Sequence, residues 1–206
     1  MRHYLITRFN LRVPGWRNVD REGQQVLDDC WLRHRFHLFE EHTIPSVMAQ
    51  TTDNHLWLVL FDTQTPKCWL RRIRDYCEFL PLFMGANWLR ELQQFLSHDP
   101  MGWLATTRLD NDDTIEPTFI QTIHSALNAK KQFLNMPNGY TLRDGKREPA
   151  RHTANPFMTY VERGANPQTI YFIAHGQAMR TVAPIRQIST ERLWTTIIHE
   201  RNYIND

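Results

Sequence analysis

The sequence predicts an α/β fold: a Rossmann-like, mostly parallel sheet flanked by helices, with a mixed C-terminal part. Three observations predict it. Apolar runs of strand length alternate with segments of helical spacing through about residue 129, which is the pattern of a parallel sheet with helices on both faces. One of those runs, His55-Leu56-Trp57-Leu58-Val59-Leu60-Phe61, carries no alternation, as expected of a strand covered on both sides. The length of 206 residues suits one compact domain, taken as residues 1–206, that buries a core without disulfides.

Residues 4–9 read as a short buried strand that runs into a turn-rich stretch through Pro14 and Gly15. From Gln24 to about Glu41, Leu27, Trp31 and Leu38 share one helical face and Leu32, Phe36 and Phe39 an adjacent one, while Arg33 and Arg35 face elsewhere. The strand at 55–61 ends at Asp62. Pro66 then opens a helix bearing Leu70, Ile73, Cys77 and Leu80, which Pro81 closes. Leu82, Phe83 and Met84 form a short strand, residues 88–96 a helix through Leu89, Leu92 and Phe95, and residues 103–109 a further strand. Pro117 opens the next helix. Beyond Lys131 the pattern loosens: residues 133–136 read as a strand, 140–155 as a loop or hairpin, 169–174 as a late strand and 191–202 as a terminal helix or helical turn.

Composition excludes several classes. With 24 basic against 22 acidic residues the net charge of +2 gives no strong field of either sign for nucleic acid or membrane. Cys30, Cys68 and Cys77 are odd in number and lack Cys-x-x-Cys spacing, so a reducing, cytoplasmic compartment is expected. No stretch approaches the ~18 apolar residues of a membrane span, and the N-terminal apolar run is too short for a signal peptide. Walker-type, dinucleotide-fingerprint, zinc-protease and nucleophile-elbow motifs are all missing.

The segment with chemical content is Asp110-Asn111-Asp112-Asp113, placed where an apolar strand ends. Open α/β sheets bind ligands at that edge. Two carboxylates at Asp-x-Asp spacing suit magnesium or manganese completed by phosphate oxygens and water. The plain alternative is an acidic capping turn. An EF-hand is excluded, because Ile115 and Gln121 stand where that loop needs Gly and Glu. His34, His37 and His42 lack acidic neighbours at ligand spacing and read as a polar helix face.

In order along the chain, Thr7-Arg8-Phe9-Asn10, Trp57-Leu58-Val59-Leu60-Phe61-Asp62 with Thr65-Pro66, Thr107-Arg108-Leu109-Asp110-Asn111-Asp112-Asp113, Asn155-Pro156-Phe157, and Trp194 with His199 and Asn202 resemble the bacterial putative rhamnosyl transferase family. The resemblance implies a GT-A type glycosyltransferase that uses Mn²⁺ or Mg²⁺ and a nucleotide-sugar donor. It implies Asp110 and Asp112 as metal ligands, with His199 as a third and His175 as a weaker candidate, and Asp113 oriented toward ribose or sugar hydroxyls. Thr7, Arg8, Asp62 and Arg108 join the donor site, the two arginines because guanidinium forks match phosphate oxygens. Glu162 is the expected general base of an inverting transfer, against the plain reading of an exposed charge. The basic residues Arg143, Lys146, Arg147 and Arg151 form a lid over diphosphate or simply a solvated loop. The acceptor stays open among glycan, protein and modified nucleic acid. Two other readings stand beside the transferase: a metal-dependent nucleotide-sugar or phosphodiester hydrolase, and a noncatalytic glycan- or nucleic-acid-binding module.

Overall fold

The fold comes from a computed structural model and is described for residues 1–13, 18–98, 102–174 and 176–199. The strands are β1 (Arg2–Arg8), β2 (Leu56–Asp62), β3 (Leu80–Met84), β4 (Trp103–Arg108), β5 (Thr114–Ile115), β6 (Gln132–Asn135), β7 (Asn138–Arg143), β8 (Lys146–Arg151), β9 (Thr159–Arg163), β10 (Ile185–Gln187) and β11 (Arg192–Ile198). The helices are α1 (Asp29–Leu38), α2 (Ile44–Met48), α3 (Lys67–Asp75), α4 (Trp88–Ser97) and α5 (Phe119–Ala126). A π-helical turn, Phe39–Thr43, joins α1 to α2.

A seven-stranded sheet runs in the order β10-β6-β9-β4-β1-β2-β3. Strands β4, β1, β2 and β3 are parallel, and β9 lies antiparallel between β4 and β6. The chain steps outward from β1 to β2 to β3, then returns through α4 to place β4 on the other side of β1. That reversal creates a crevice at the carboxyl ends of β1 and β4. The unbroken apolar run of β2 is explained by the faces it serves: Trp57, Val59 and Phe61 join the core under α1 and α3, while Leu58 and Leu60 join the core under α4. Helices α1 and α4 therefore cover opposite faces of the sheet.

A four-stranded sheet, β5-β11-β7-β8, packs beside this body, and its Ile115, Leu193 and Trp194 belong to the same core cluster as Leu5, Phe36 and Phe61. Among the described residues no helix is long and apolar enough to cross a membrane.

Three expected elements need correction. Of the segment expected as a terminal helix or helical turn, residues 192–198 are a strand that pairs in parallel with β7, because Thr195, Thr196, Ile197 and Ile198 are β-branched and favour a pleated surface, and residues 200–202 lie outside the described residues. Residues 169–174 are not a strand. Their centre, Ile170–Phe172, is a 3₁₀ turn after Thr169 at φ 67°, so Ile170 enters the small core beside Phe133 while Tyr171 turns toward Trp88. The helix from Pro66 stops at Asp75, and Leu80 and Pro81 belong to β3, where an edge strand tolerates a residue without an N–H. The basic stretch is the hairpin expected there, β7–β8, closed by Asp144 and Gly145 at φ 49° and 73°, a pair suited to a tight two-residue turn. Arg147 is no free lid residue there: it pairs with Glu116, donates to Thr195 Oγ1 at 3.0 Å and lies over the Tyr140 ring.

Candidate active site

The acidic loop leaves β4 at the crevice. Leu109 extends the pairing with β1 through its N–H to the Ile6 carbonyl, and its side chain is fully buried, which fixes where the loop begins. Asn111 ties the loop to the chain leaving β1 by donating to the Phe9 carbonyl at 2.9 Å. Each carboxylate then finds a different partner. Asp110 receives a two-pronged ion pair from Arg108, Nε at 3.0 Å and Nη2 at 2.7 Å. Asp112 Oδ2 accepts from Arg35 Nη1 at 2.5 Å and meets His199 Nε2 at 3.0 Å. Asp113 Oδ1 accepts the Ile197 N–H at 2.9 Å, which anchors the loop to β11. His34 stands beside His199, ring centroids 5.1 Å apart.

These partners decide the charge states. Burial alone would push the Asp112 carboxyl up, but Arg35 and His199 overcome it and hold the group down to about 2. Burial opposes ionisation of Asp110 as well, and Arg108 with help from Arg8 keeps it below the ordinary carboxylate range. Asp113 goes the other way: burial and the neighbouring charges of Asp112 and Asp110 outweigh the Ile197 N–H and raise it well above its usual value. The loop thus presents two carboxylates held ionised and a third that releases its proton less readily than an ordinary carboxyl. Arg8 is made less basic by burial and by the nearby Arg108. Its guanidinium lies 4.7 Å from the Tyr171 ring centroid and 5.6 Å from that of Trp88.

The structure brings together Arg8, Arg108, Asp110, Asp112, Asp113 and His199. Asp62 shares the edge at the end of β2, where it accepts from Arg12 Nε at 3.0 Å and from the Gln64 N–H at 2.7 Å. Two expected residues stand elsewhere. Thr7 is fully buried and its hydroxyl accepts from the Trp57 indole at 3.0 Å, which uses it in the core rather than at a ligand. Glu162 lies in β9 opposite Leu104, close to the start of β4 and therefore toward the far edge of the sheet. Its carboxylate clasps the N–H groups of Gln168 and Thr169 at 2.8 and 2.7 Å, so it holds a loop and does not face the crevice. His175 lies outside the described residues.

Arg35 and His34 belong to the site although helical periodicity assigned them to a polar face. The signal that was present is Trp31 four residues before Arg35, whose ring the Arg35 guanidinium approaches to 5.3 Å. Tyr171 and Trp88 were likewise read only as strand and helix residues.

Among the described residues no group of three His, Cys, Asp or Glu side chains is placed to hold a metal ion by itself. Asp110 is engaged by Arg108. Asp112 and His199 nevertheless present a carboxylate oxygen and an imidazole nitrogen toward one another, and two such donors fit a divalent ion that takes its other ligands from phosphate and water.

The sheet order, the return through α4 and the ligand edge define an α/β fold of GT-A type. Over residues 2–205 the sequence matches the family described as putative rhamnosyl transferase, and the chain belongs to that family. S. aureus TarS 1–349 in complex with UDP-GlcNAc is similar at TM-score 0.55 and 12% identity, with 97% of this chain and 59% of that one covered. The TarS 1–349 structures alone and with UDP give TM-scores of 0.53 and 0.51 at 11% identity, with 96% of this chain and 60% and 61% of those chains covered. This likeness establishes the fold, and the chain spans about 59% of the length of the first of these TarS structures. No curated protein matches the chain.

Proposed function

We propose that this chain is a glycosyltransferase that moves a sugar from a nucleotide-sugar donor to an acceptor hydroxyl, with the donor diphosphate gripped at the loop 110–113 by a divalent cation. The observation that carries the reading is the Asp112–His199 pair beside Arg108–Asp110 at the switch-point crevice. Family membership supports the transferase class, and the UDP-GlcNAc and UDP complexes of the similar TarS structures support a nucleotide-sugar donor.

In the transfer, the acceptor oxygen forms a bond to the anomeric carbon while the bond from that carbon to the diphosphate oxygen breaks, its electron pair leaving with the nucleoside diphosphate. The acceptor proton passes to a base or to water. Magnesium or manganese, when bound by Asp112 and His199, supplies positive charge where the diphosphate gathers negative charge. Asp112 suits this role because Arg35 and His199 keep it ionised in a buried place. Arg8 and Arg108 add fixed positive charge at the strand ends, and fixed charge in a partly dry cleft favours the leaving group more as the bond breaks than before. Asp113, which retains its proton more readily, suits a ribose or sugar hydroxyl, and Asp62 at the end of β2 is the candidate for the nucleoside.

A thermal-shift panel of nucleoside diphosphates with and without manganese tests the reading. Binding to the folded state alone adds about 2.7 kcal/mol of apparent stability at a hundredfold excess over Kd. The expected result is a manganese-dependent shift with UDP or dTDP that Asp112→Asn abolishes. The absence of any nucleotide-dependent shift in the unaltered protein contradicts it.

A further inference from the structure

Two partners crowd one carboxylate oxygen of the acidic loop. Asp112 Oδ2 accepts from Arg35 Nη1 at 2.5 Å and meets His199 Nε2 at 3.0 Å. The same Nη1 also donates to Asn111 Oδ1 at 3.2 Å, and Arg35 Nε is buried without a hydrogen-bond partner among the described residues. We propose that Arg35 is a placeholder cation, which holds Asp112 while no metal ion is bound and, when the ion enters, gives up the carboxylate and takes an oxygen of the donor diphosphate; the proposal rests on the glycosyltransferase reading above.

The form of the grip argues for exchange. Arg108 holds Asp110, and Arg12 holds Asp62, each through Nε and Nη2, the two-pronged arrangement that a guanidinium makes best with a carboxylate. Arg35 instead reaches two acceptors through a single nitrogen. Its buried Nε–H, left unpaired, costs free energy and calls for a partner from outside the described residues. A phosphate oxygen supplies one, since guanidinium nitrogens match phosphate oxygens. With 14% of its side chain exposed and its guanidinium 5.3 Å from the Trp31 ring, Arg35 is held at the crevice and not in open solvent.

Charge sets the direction of the exchange. Arg35 and an ion on Asp112 and His199 compete for one carboxylate, and two cations at that spacing repel. Arg35 therefore opposes the ion as long as no other anion is at hand. The diphosphate is that anion, and it arrives with the nucleotide. Ion and nucleotide then each improve the site for the other by the same factor, which is the requirement of linkage.

Electron paramagnetic resonance of free manganese reads ion binding to the whole protein and to Arg35→Gln, each with and without saturating UDP, or dTDP if that is the nucleotide that binds. Circular dichroism checks the fold of the variant. The expected result is manganese binding without nucleotide at least about fivefold tighter in Arg35→Gln than in the unaltered protein, with the gain that nucleotide confers on manganese reduced by that factor or more. Equal or weaker manganese binding by the variant overturns the placeholder role. An undiminished gain overturns the transfer to diphosphate. Where the variant does not fold, the Arg35 Nε–H signal of the unaltered protein in nitrogen-15 NMR, assigned along its own side chain, decides: it should shift when magnesium and nucleotide are added together, and an unmoved signal overturns the proposal. Absence of any manganese-dependent nucleotide binding in the unaltered protein removes the donor reading, and the placeholder role falls with it.

Discussion

Asp112 shows how the site is built from opposed costs. A mostly buried carboxylate is expensive, and it is tolerated here because one guanidinium and one imidazole face the same oxygen. Removing Arg35 leaves that charge with a single partner. Arg35→Met should lower stability by about 3 kcal/mol, the scale for breaking a buried pair, and should raise the Asp112 carboxyl from about 2. Urea unfolding and carbon-13 NMR titration measure the two effects, and an unchanged Asp112 titration would show that Arg35 does not set its charge. By contrast Arg33, whose partner Asp29 is also exposed, should leave the urea midpoint where it is when replaced by Met. The acidic loop and His199 were legible in the sequence because acidic residues at a strand end have few uses and because the family resemblance aligned a late histidine with them. Arg35 was not, since its contact spans 77 positions and helical periodicity reports only which face is apolar. Glu162 was misjudged for a related reason: a buried carboxylate that clasps two backbone N–H groups has the same sequence signature as an exposed one.

Among the elements, the second sheet was the least legible. The hairpin at 140–155 could be anticipated from its Gly and basic punctuation, but the pairing of β7 with β11 joins segments more than fifty residues apart, and no local period encodes it. Residues 193–198 fit apolar helical spacing loosely and β-branched composition well, and here tertiary pairing decides. One glycine makes that pairing possible. Trp194 in β11 donates its indole N–H to the Met136 carbonyl at 2.7 Å and stacks on Phe157, so its ring has nowhere to move. A Cβ at Gly139 in β7 would fall within that ring. Gly139→Ala should therefore cost at least the 1–3 kcal/mol typical of overpacking. Because β11 also carries the backbone N–H that binds Asp113, the same substitution should weaken nucleotide binding. Chemical unfolding and nucleotide titration check both, and a stable Gly139→Ala protein would show that Trp194 has an alternative position.

At the scale of the molecule, the parallel strands have two unlike ends. The first half of the chain was readable because its alternation of apolar runs and helical segments admits few topologies, whereas the antiparallel insertion of β9 was hidden by the weak pattern after Lys131. The carboxyl ends carry the arginines and carboxylates. The amino ends carry His3, His55 and His124, with His3 Nδ1 3.0 Å from His124 Nε2 and His3 Nε2 2.7 Å from the Thr107 hydroxyl. Burial first, then the neighbouring histidines, holds His3 well below the ordinary histidine range; His55 and His124 are lowered as well, with Asp53 partly opposing the shift at His55. The folded state thus binds these protons less readily than the unfolded chain does. Their contribution is intact above the unfolded value and is lost as pH falls below it, at about 1.4 kcal/mol per pH unit for a proton that only the unfolded state takes up. The urea midpoint should fall between about pH 7 and pH 5, and His3→Asn should flatten that slope. A midpoint independent of pH across this window would contradict the cluster's neutral state.

In the proposed function, the loop between β4 and β5 is where a divalent ion would join protein to diphosphate. Isothermal titration of UDP or dTDP, with and without manganese, into the unaltered protein and Asp112→Asn tests it most directly. The predicted result is an affinity at least about tenfold tighter with manganese, a gain that vanishes in the variant while circular dichroism shows an unchanged fold. An affinity indifferent to manganese, or a manganese gain that survives Asp112→Asn, would contradict it.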